Sequence, residues 1–290
     1  MIIKHLTYRF SSNSGHSLYG QSWEPIEPAK AVIWMVHGLG EHSGRYEEWA
    51  KMFCQHDIAF FAIDHFGHGQ SAGKRGTIKR ISTFLDDFEA FTSTHRSRFV
   101  NIPNFIYGHS MGGNLALNYI LTRRHPFKGA IITAPWLQLT NQISTIRQIA
   151  SRLLSNISPN LTISNQIKSE QLATSSSEIK AHDKDPLCHS QISIRLYNEL
   201  NSSANHIMAK ADQFHLPILL MHGQEDEITS HDASQQFALR AALCHFFSYP
   251  HARHELHREA ISDDMATNIT NWILKFNDTS NDLLQNRNIC

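Results

Sequence analysis

The chain has 290 residues, with Lys plus Arg (26) equal to Asp plus Glu (26), so no charge excess points to nucleic acid. Its length suits one large α/β domain with an insertion, or two domains, and can bury a sizeable core. Four cysteines (Cys54, Cys188, Cys244 and Cys290) form no Cys-x-x-Cys pair and read as reduced thiols, not as a disulfide or zinc framework. The N-terminus lacks the apolar stretch of an export signal, and no run reaches the ~18 apolar residues of a membrane span. A cytoplasmic location is the expectation.

His5 to about Trp23 reads as two strands joined by a Ser-Ser-Asn-Ser-Gly turn at 11–15. Ala31-Val-Ile-Trp-Met-Val36 is continuously apolar, the pattern of a strand buried on both faces, and it stops at His37-Gly-Leu-Gly-Glu-His-Ser-Gly44. A helix with Tyr46, Trp49, Met52 and Phe53 on one face follows. The next buried strand is Ile58–Ile63, closed by the glycine-rich Asp64-His-Phe-Gly-His-Gly-Gln-Ser71. A helix over about Ser82–Arg98, a strand at Phe105–Tyr107, a helix through Leu115–Leu121 and a strand at Lys128–Ala134 continue the pattern. Strand and helix alternate from 31 to 134, which predicts a mostly parallel sheet covered by helices on both faces.

The alternation breaks at Pro135-Trp136, and no buried strand is read from there to about Gln213. An amphipathic helix carrying Ile143, Ile146, Ala150, Leu153, Leu154 and Ile157 ends before Pro159. Polar stretches follow, and helical pattern returns over Ile192–Leu200. The core resumes with a strand at Leu216–Met221, a helix at Ser230–Ala242, a strand at Cys244–Tyr249 and a helix at Met265–Phe276. The predicted organisation is a core of 1–135 and 213–276, a helical cap inserted at 136–212, and a polar, frayed tail at 277–290.

Gly108-His-Ser110-Met-Gly112 lies between the strand at Phe105–Tyr107 and the helix that follows. A serine in that turn has strained backbone angles, and side chains two residues before or after it would clash. The turn pushes the hydroxyl out above the sheet as a nucleophile. A serine hydroxyl is weak alone; it needs a base for its proton and a third group to orient the base. Such groups sit in loops at the carboxyl ends of strands. After Leu216–Met221 come His222 and then the competing acids Glu225, Asp226 and Glu227. After Cys244–Tyr249 come the competing bases His251, His254 and His257. The order Ser, acid, His is that of an α/β-hydrolase. The histidine spacing finds no partner cluster with ligand spacing, so no metal is expected. A tetrahedral intermediate needs backbone N–H donors, which the pattern assigns to Met111, after the nucleophile, and Leu39, in the loop after Val36.

Five motifs together, His37-Gly-Leu-Gly-Glu-His-Ser-Gly-Arg-Tyr46, Asp64-His-Phe-Gly-His-Gly-Gln-Ser-Ala-Gly73, Gly108-His-Ser-Met-Gly-Gly113, His222-Gly-Gln-Glu-Asp226 and His254-Glu-Leu, resemble the monoacylglycerol lipase and lysophospholipase group of serine α/β-hydrolases. The likeness runs from about residue 17 to 276, and Asp185-Pro-Leu187 matches the cap of that group. The resemblance implies the α/β-hydrolase fold and a triad of Ser110, Asp226 and His254. It implies Leu39 and Met111 as oxyanion donors, and an acyl-enzyme mechanism without metal or organic cofactor. The implied activity is release of a fatty acid from a single-chain acyl lipid, a monoacylglycerol or lysophospholipid. The apolar face of the cap helix at 143–157 is a candidate acyl tunnel or peripheral membrane contact. The alternatives are an esterase of small soluble esters, a serine aminopeptidase with Glu170 or Glu178 as its amine pocket, and an inactive binding protein on the same frame.

Overall fold

The computed structural model describes residues 2–12, 14–141 and 157–276. The cap helix read at 143–157 and the tail at 277–290 fall almost wholly outside these. Eight strands form one sheet in the order β1-β2-β4-β3-β5-β6-β9-β10. These are β1 (Ile3–Ser11), β2 (Ser17–Pro25), β3 (Ala31–Val36), β4 (Ile58–Asp64), β5 (Asn104–His109), β6 (Gly129–Thr133), β9 (Ile218–Gly223) and β10 (Cys244–Tyr249). The β1–β2 and β2–β4 pairs are antiparallel, and every pair from β4 to β10 is parallel. Each parallel strand but the edge strand β10 is buried along its whole length.

Helices explain why the strands lack polar alternation. Side chains alternate across a strand, so a two-faced sheet needs apolar residues at every position. On β3, Val32, Trp34 and Val36 join one core cluster with Phe84, Phe88 and Phe91 of α2 (Ile81–Arg96) and Leu115 and Ala116 of α3 (Met111–Thr122). Ala31, Ile33 and Met35 join the opposite cluster with Trp49 and Phe53 of α1 (Glu47–Cys54) and Ile269 and Ile273 of the last helix (Ser262–Leu274).

Between β6 and β9 the chain departs from the all-helical reading. Two three-residue strands, β7 (Thr162–Ser164) and β8 (Gln191–Ser193), pair antiparallel. Three residues carry no measurable period, so neither was legible. Helix α4 (Ser176–Lys184) also went unread, because it buries no residue and its seryl start looks like loop. Helix α5 (Ile194–Ala209) begins where Ser193 accepts the Leu196 amide at 3.1 Å. It runs past the expected end because its polar stretch faces α3, where Asn118 donates to the Ser203 hydroxyl at 2.6 Å. Helix α6 (His231–Arg240) and the last helix, α7, complete the core. Among the described residues no helix is long and apolar enough to cross a membrane.

Candidate active site

Ser110 stands between β5 and α3 with φ 55° and ψ −118°, a conformation disfavoured for a side-chain-bearing residue. The turn is held by backbone bonds: the Ser110 amide donates to Thr133 O at 3.0 Å, and the Trp136 amide donates to Ser110 O at 3.0 Å. The glycines permit it sterically. A Cβ on Gly112 would lie 1.9 Å from Val36 O, and one on Gly108 would lie 2.4 Å from Gly112 O.

His254 and Asp226 complete a hydrogen-bonded series. His254 Nε2 is 2.9 Å from Ser110 Oγ, and His254 Nδ1 is 2.7 Å from Asp226 Oδ2. Asp226 Oδ1 accepts the amides of Ile228 at 2.7 Å and Thr229 at 3.0 Å. These immobile donors fix the carboxylate plane. All three side chains are buried. Burial alone would raise the Asp226 carboxyl, but the charge of His254 and hydrogen bonds from His222 and His254 outweigh it and hold the group well below the usual carboxylate range. Burial pushes His254 down, yet the adjoining Asp226 charge and hydrogen bond lift it above a histidine's ordinary value. His109 is pushed to about 3 by burial and by His254, so it stays neutral beside the nucleophile.

The competing candidates lie elsewhere. Glu225 meets exposed His251 at 3.1 Å, and Glu227 accepts from Gln171 at 3.1 Å at the surface. His257 is buried and stacked on Tyr46, with ring centroids 4.6 Å apart. Glu178 is ion-paired to Arg258 at 3.0 Å, and Arg253 donates to the carbonyls of Glu170 and Ala173. Neither Glu170 nor Glu178 is among the described residues lining the cavity at Ser110.

The loop after β3 packs on the nucleophile, since a Cβ on Gly38 would sit 3.3 Å from Ser110 Cβ. The Gly38 amide donates to Glu41 Oε1 at 2.5 Å, which leaves Leu39 as the next amide along the loop. Met111 is the first residue of α3, where N–H groups have no partner within the helix. Glu41 also accepts from Tyr46 at 2.8 Å, and Arg45 bridges Glu41 (3.7 Å) and Glu255 (2.6 Å), all buried. This ion cluster ties the loop after β3 to the loop of His254. Sequence reasoning missed it, because sequence separation hides Glu255 from Arg45.

Leu39, Trp136, Ile167, Leu172 and Ile228 give the cavity at Ser110 its apolar wall, with a volume of ≈ 40 Å³. Through Leu39, Ile167, Leu172 and His182 it adjoins a cavity of ≈ 190 Å³ whose wall also carries Asn165, Asp183, Asp185, Cys188, His189 and Ser190. Trp136 was read only as the break in the alternation; its place at the carboxyl end of β6 was the available signal.

One group among the described residues has ligand atoms close enough for a cation: His42, Asp185 and Cys188, within 4.8 Å of one another. His42 Nδ1 accepts the Gly44 amide at 3.2 Å, which leaves the proton on Nε2, 2.9 Å from Asp185 Oδ2. A ligating imidazole needs the reverse, with its distal nitrogen donating. The group therefore acts as a tie between the loop after β3 and the segment before β8.

A strained serine between strand and helix, an imidazole in reach of it and a buried carboxylate behind, on a sheet of this order, define a serine hydrolase of the α/β-hydrolase fold. Residues 27–261 match the family Hydrolase_4, described as serine aminopeptidase, S33, and the chain belongs to that family. Within it, the chain belongs to the monoglyceride lipase group: it is 31% identical over 268 residues to monoglyceride lipase of Rattus norvegicus, covering 89% of this chain and 87% of that one. An uncharacterized abhydrolase domain-containing protein of Dictyostelium discoideum is 34% identical over 258 residues, 87% of this chain but 27% of the length of that relative. The fold is also that of a soluble variant of monoglyceride lipase from Saccharomyces cerevisiae, crystallised with a substrate analog, at TM-score 0.82 and 21% identity, covering 95% of this chain and 96% of that one.

Proposed function

We propose that the chain hydrolyses an ester of one fatty acyl chain, with Ser110 as nucleophile, His254 as base and Asp226 as the group that orients it. The observation that carries this is the pair of contacts from His254, 2.9 Å to Ser110 Oγ and 2.7 Å to Asp226 Oδ2, at a strained strand-to-helix turn. His254 Nε2 takes the hydroxyl proton as Ser110 Oγ bonds to the carbonyl carbon. The carbonyl oxygen gains the charge and is met by the Leu39 and Met111 amides. Asp226 offsets the imidazolium charge. The tetrahedral adduct collapses as the alcohol oxygen leaves with the proton from His254, and an acyl-Ser110 ester remains. Water, deprotonated by the same nitrogen, then releases the acid and restores the hydroxyl.

The apolar wall of Leu39, Trp136, Ile167, Leu172 and Ile228 supports an acyl substrate. The adjoining cavity favours an uncharged polyol head group over a phosphate, because its described lining carries Asp183 and Asp185 and neither Lys nor Arg. A monoacylglycerol is thus the preferred reading over a lysophospholipid. The described part of 136–212 acts as a cap: Ile167, Leu172 and His182 from it reach the Ser110 cavity. Exposed Ile157, Leu161 and Ile163 on the same segment offer a peripheral contact with a lipid surface. The rival amine pocket at Glu170 or Glu178 has no geometric support, since neither reaches the described cavity wall.

A panel of monoacylglycerols, lysophosphatidylcholine, p-nitrophenyl esters of matched chain length and an aminoacyl amide tests this. Fastest turnover on long-chain monoacylglycerol is expected. Activity that falls steadily with chain length, or resides in the amide, would overturn the lipid reading.

A further inference from the structure

His222 is the penultimate residue of β9 and is fully buried, and the relay described above does not use it. Its Nε2 lies 3.0 Å from Asp226 Oδ2, the oxygen that also meets His254. The same nitrogen is 3.2 Å from Thr229 O, a carbonyl that can only accept, so Nε2 carries the proton. In the neutral ring Nδ1 is then the acceptor, and it sits 2.8 Å from the Ser234 hydroxyl of α6. The Ser230 cap of α6 fixes where Ser234 stands, since Ser230 Oγ accepts the Ala233 amide at 3.2 Å. A chain of helix cap, serine and histidine therefore ends on the acid.

We propose that His222 is a positioning residue: a second imidazole N–H that shares Asp226 Oδ2 with His254 and so sets how strongly the carboxylate holds His254. The inference rests on the relay assigned to Ser110, His254 and Asp226. An anion that already receives a neutral donor binds a cationic neighbour less strongly, because part of its charge is answered elsewhere. Removing the His222 donor concentrates charge on the oxygen facing His254. The imidazolium form of His254 gains, and the pH below which activity falls moves upward. One neutral hydrogen bond shifts such an equilibrium by roughly half a unit to one unit. The other titratable groups facing this assembly are His109 from β5, Glu41 from the loop after β3, Glu255 and His257 from the loop of His254, and His231 from α6, whose ring is 5.6 Å from that of His222.

The test is the pH dependence of Ser110 labelling by a fluorophosphonate, which needs no knowledge of the substrate, in the full chain. His222→Met keeps volume and removes the donor. His222→Gln replaces the donor with an amide N–H at the position of Nε2. In the Met variant the acid limb should rise by about half a unit or more; in the Gln variant it should return near wild type. If the Met variant does not fold, His222→Asn, which keeps an acceptor for Ser234 but falls short of Asp226, should show the same rise. A folded donor-less variant with an unmoved limb, or a Gln variant shifted as far as Met, would overturn the role of His222 while leaving the relay intact. A wild-type chain that the probe does not label would sink both.

Discussion

Replacing Asp226 with Asn should cost about ten-thousandfold in turnover, and the structure says why. The carboxylate accepts backbone amides at Oδ1 (2.7 and 3.0 Å) and the rings of His254 (2.7 Å) and His222 (3.0 Å) at Oδ2. An amide side chain must place its NH2 on one side. Facing the Ile228 and Thr229 amides it meets two donors that cannot turn. It therefore faces His254, whose ring can answer by baring Nδ1 and protonating Nε2. That tautomer presents a proton to Ser110 Oγ and cannot take one. The loss equals about 5.5 kcal/mol of barrier, at ~1.36 kcal/mol per tenfold. The His222 N–H also loses its acceptor, so stability should fall by about 1–3 kcal/mol, which thermal melting resolves. The assay is kcat on a soluble p-nitrophenyl ester alongside the melt. A folded Asn variant that keeps more than a tenth of wild-type kcat would refute the assigned role of the acid.

Other outcomes follow from the same geometry. Because Asp226 lifts His254 above a histidine's ordinary value, and only the unprotonated ring can accept the Ser110 proton, kcat/KM should fall as pH drops through a value above about 6.5; a limb well below that contradicts the pairing. Gly112→Ala puts a Cβ 1.9 Å from Val36 O, where only backbone can yield, so it should cost about 2 kcal/mol or more and depress labelling of Ser110; a wild-type melt would show that the elbow is looser than its contacts. Arg45→Met leaves Glu41 and Glu255 buried without their cation, a loss of about 3–5 kcal/mol in unfolding free energy; an unchanged denaturant midpoint would mean that those carboxyls take up protons at no cost.

Much of the core was legible because its signals are local. Continuous apolar runs gave β3, β4 and β9, and the Gly-x-Ser-x-Gly turn between a strand and a helix located Ser110. The residues alone left three acids and three histidines open. Resemblance to the family chose Asp226 and His254, and the geometry brings those two together with Ser110 while Glu225 and His251 meet at the surface. What stayed hidden depends on long-range contact. Arg45 and Glu255 meet across most of the chain, and His222 looks in sequence like any polar residue ending a strand. The segment between β6 and β9 was read as helical because three-residue strands have no period and α4 buries no side chain.

The most direct measurement is release of fatty acid from a long-chain monoacylglycerol by wild type and Ser110→Ala side by side. Hydrolysis by wild type and a loss on the order of a million-fold in the variant is the expected result. Equal rates in the two proteins, or a wild type inert toward every ester and unlabelled by a fluorophosphonate, would contradict a Ser110-dependent lipid ester hydrolase.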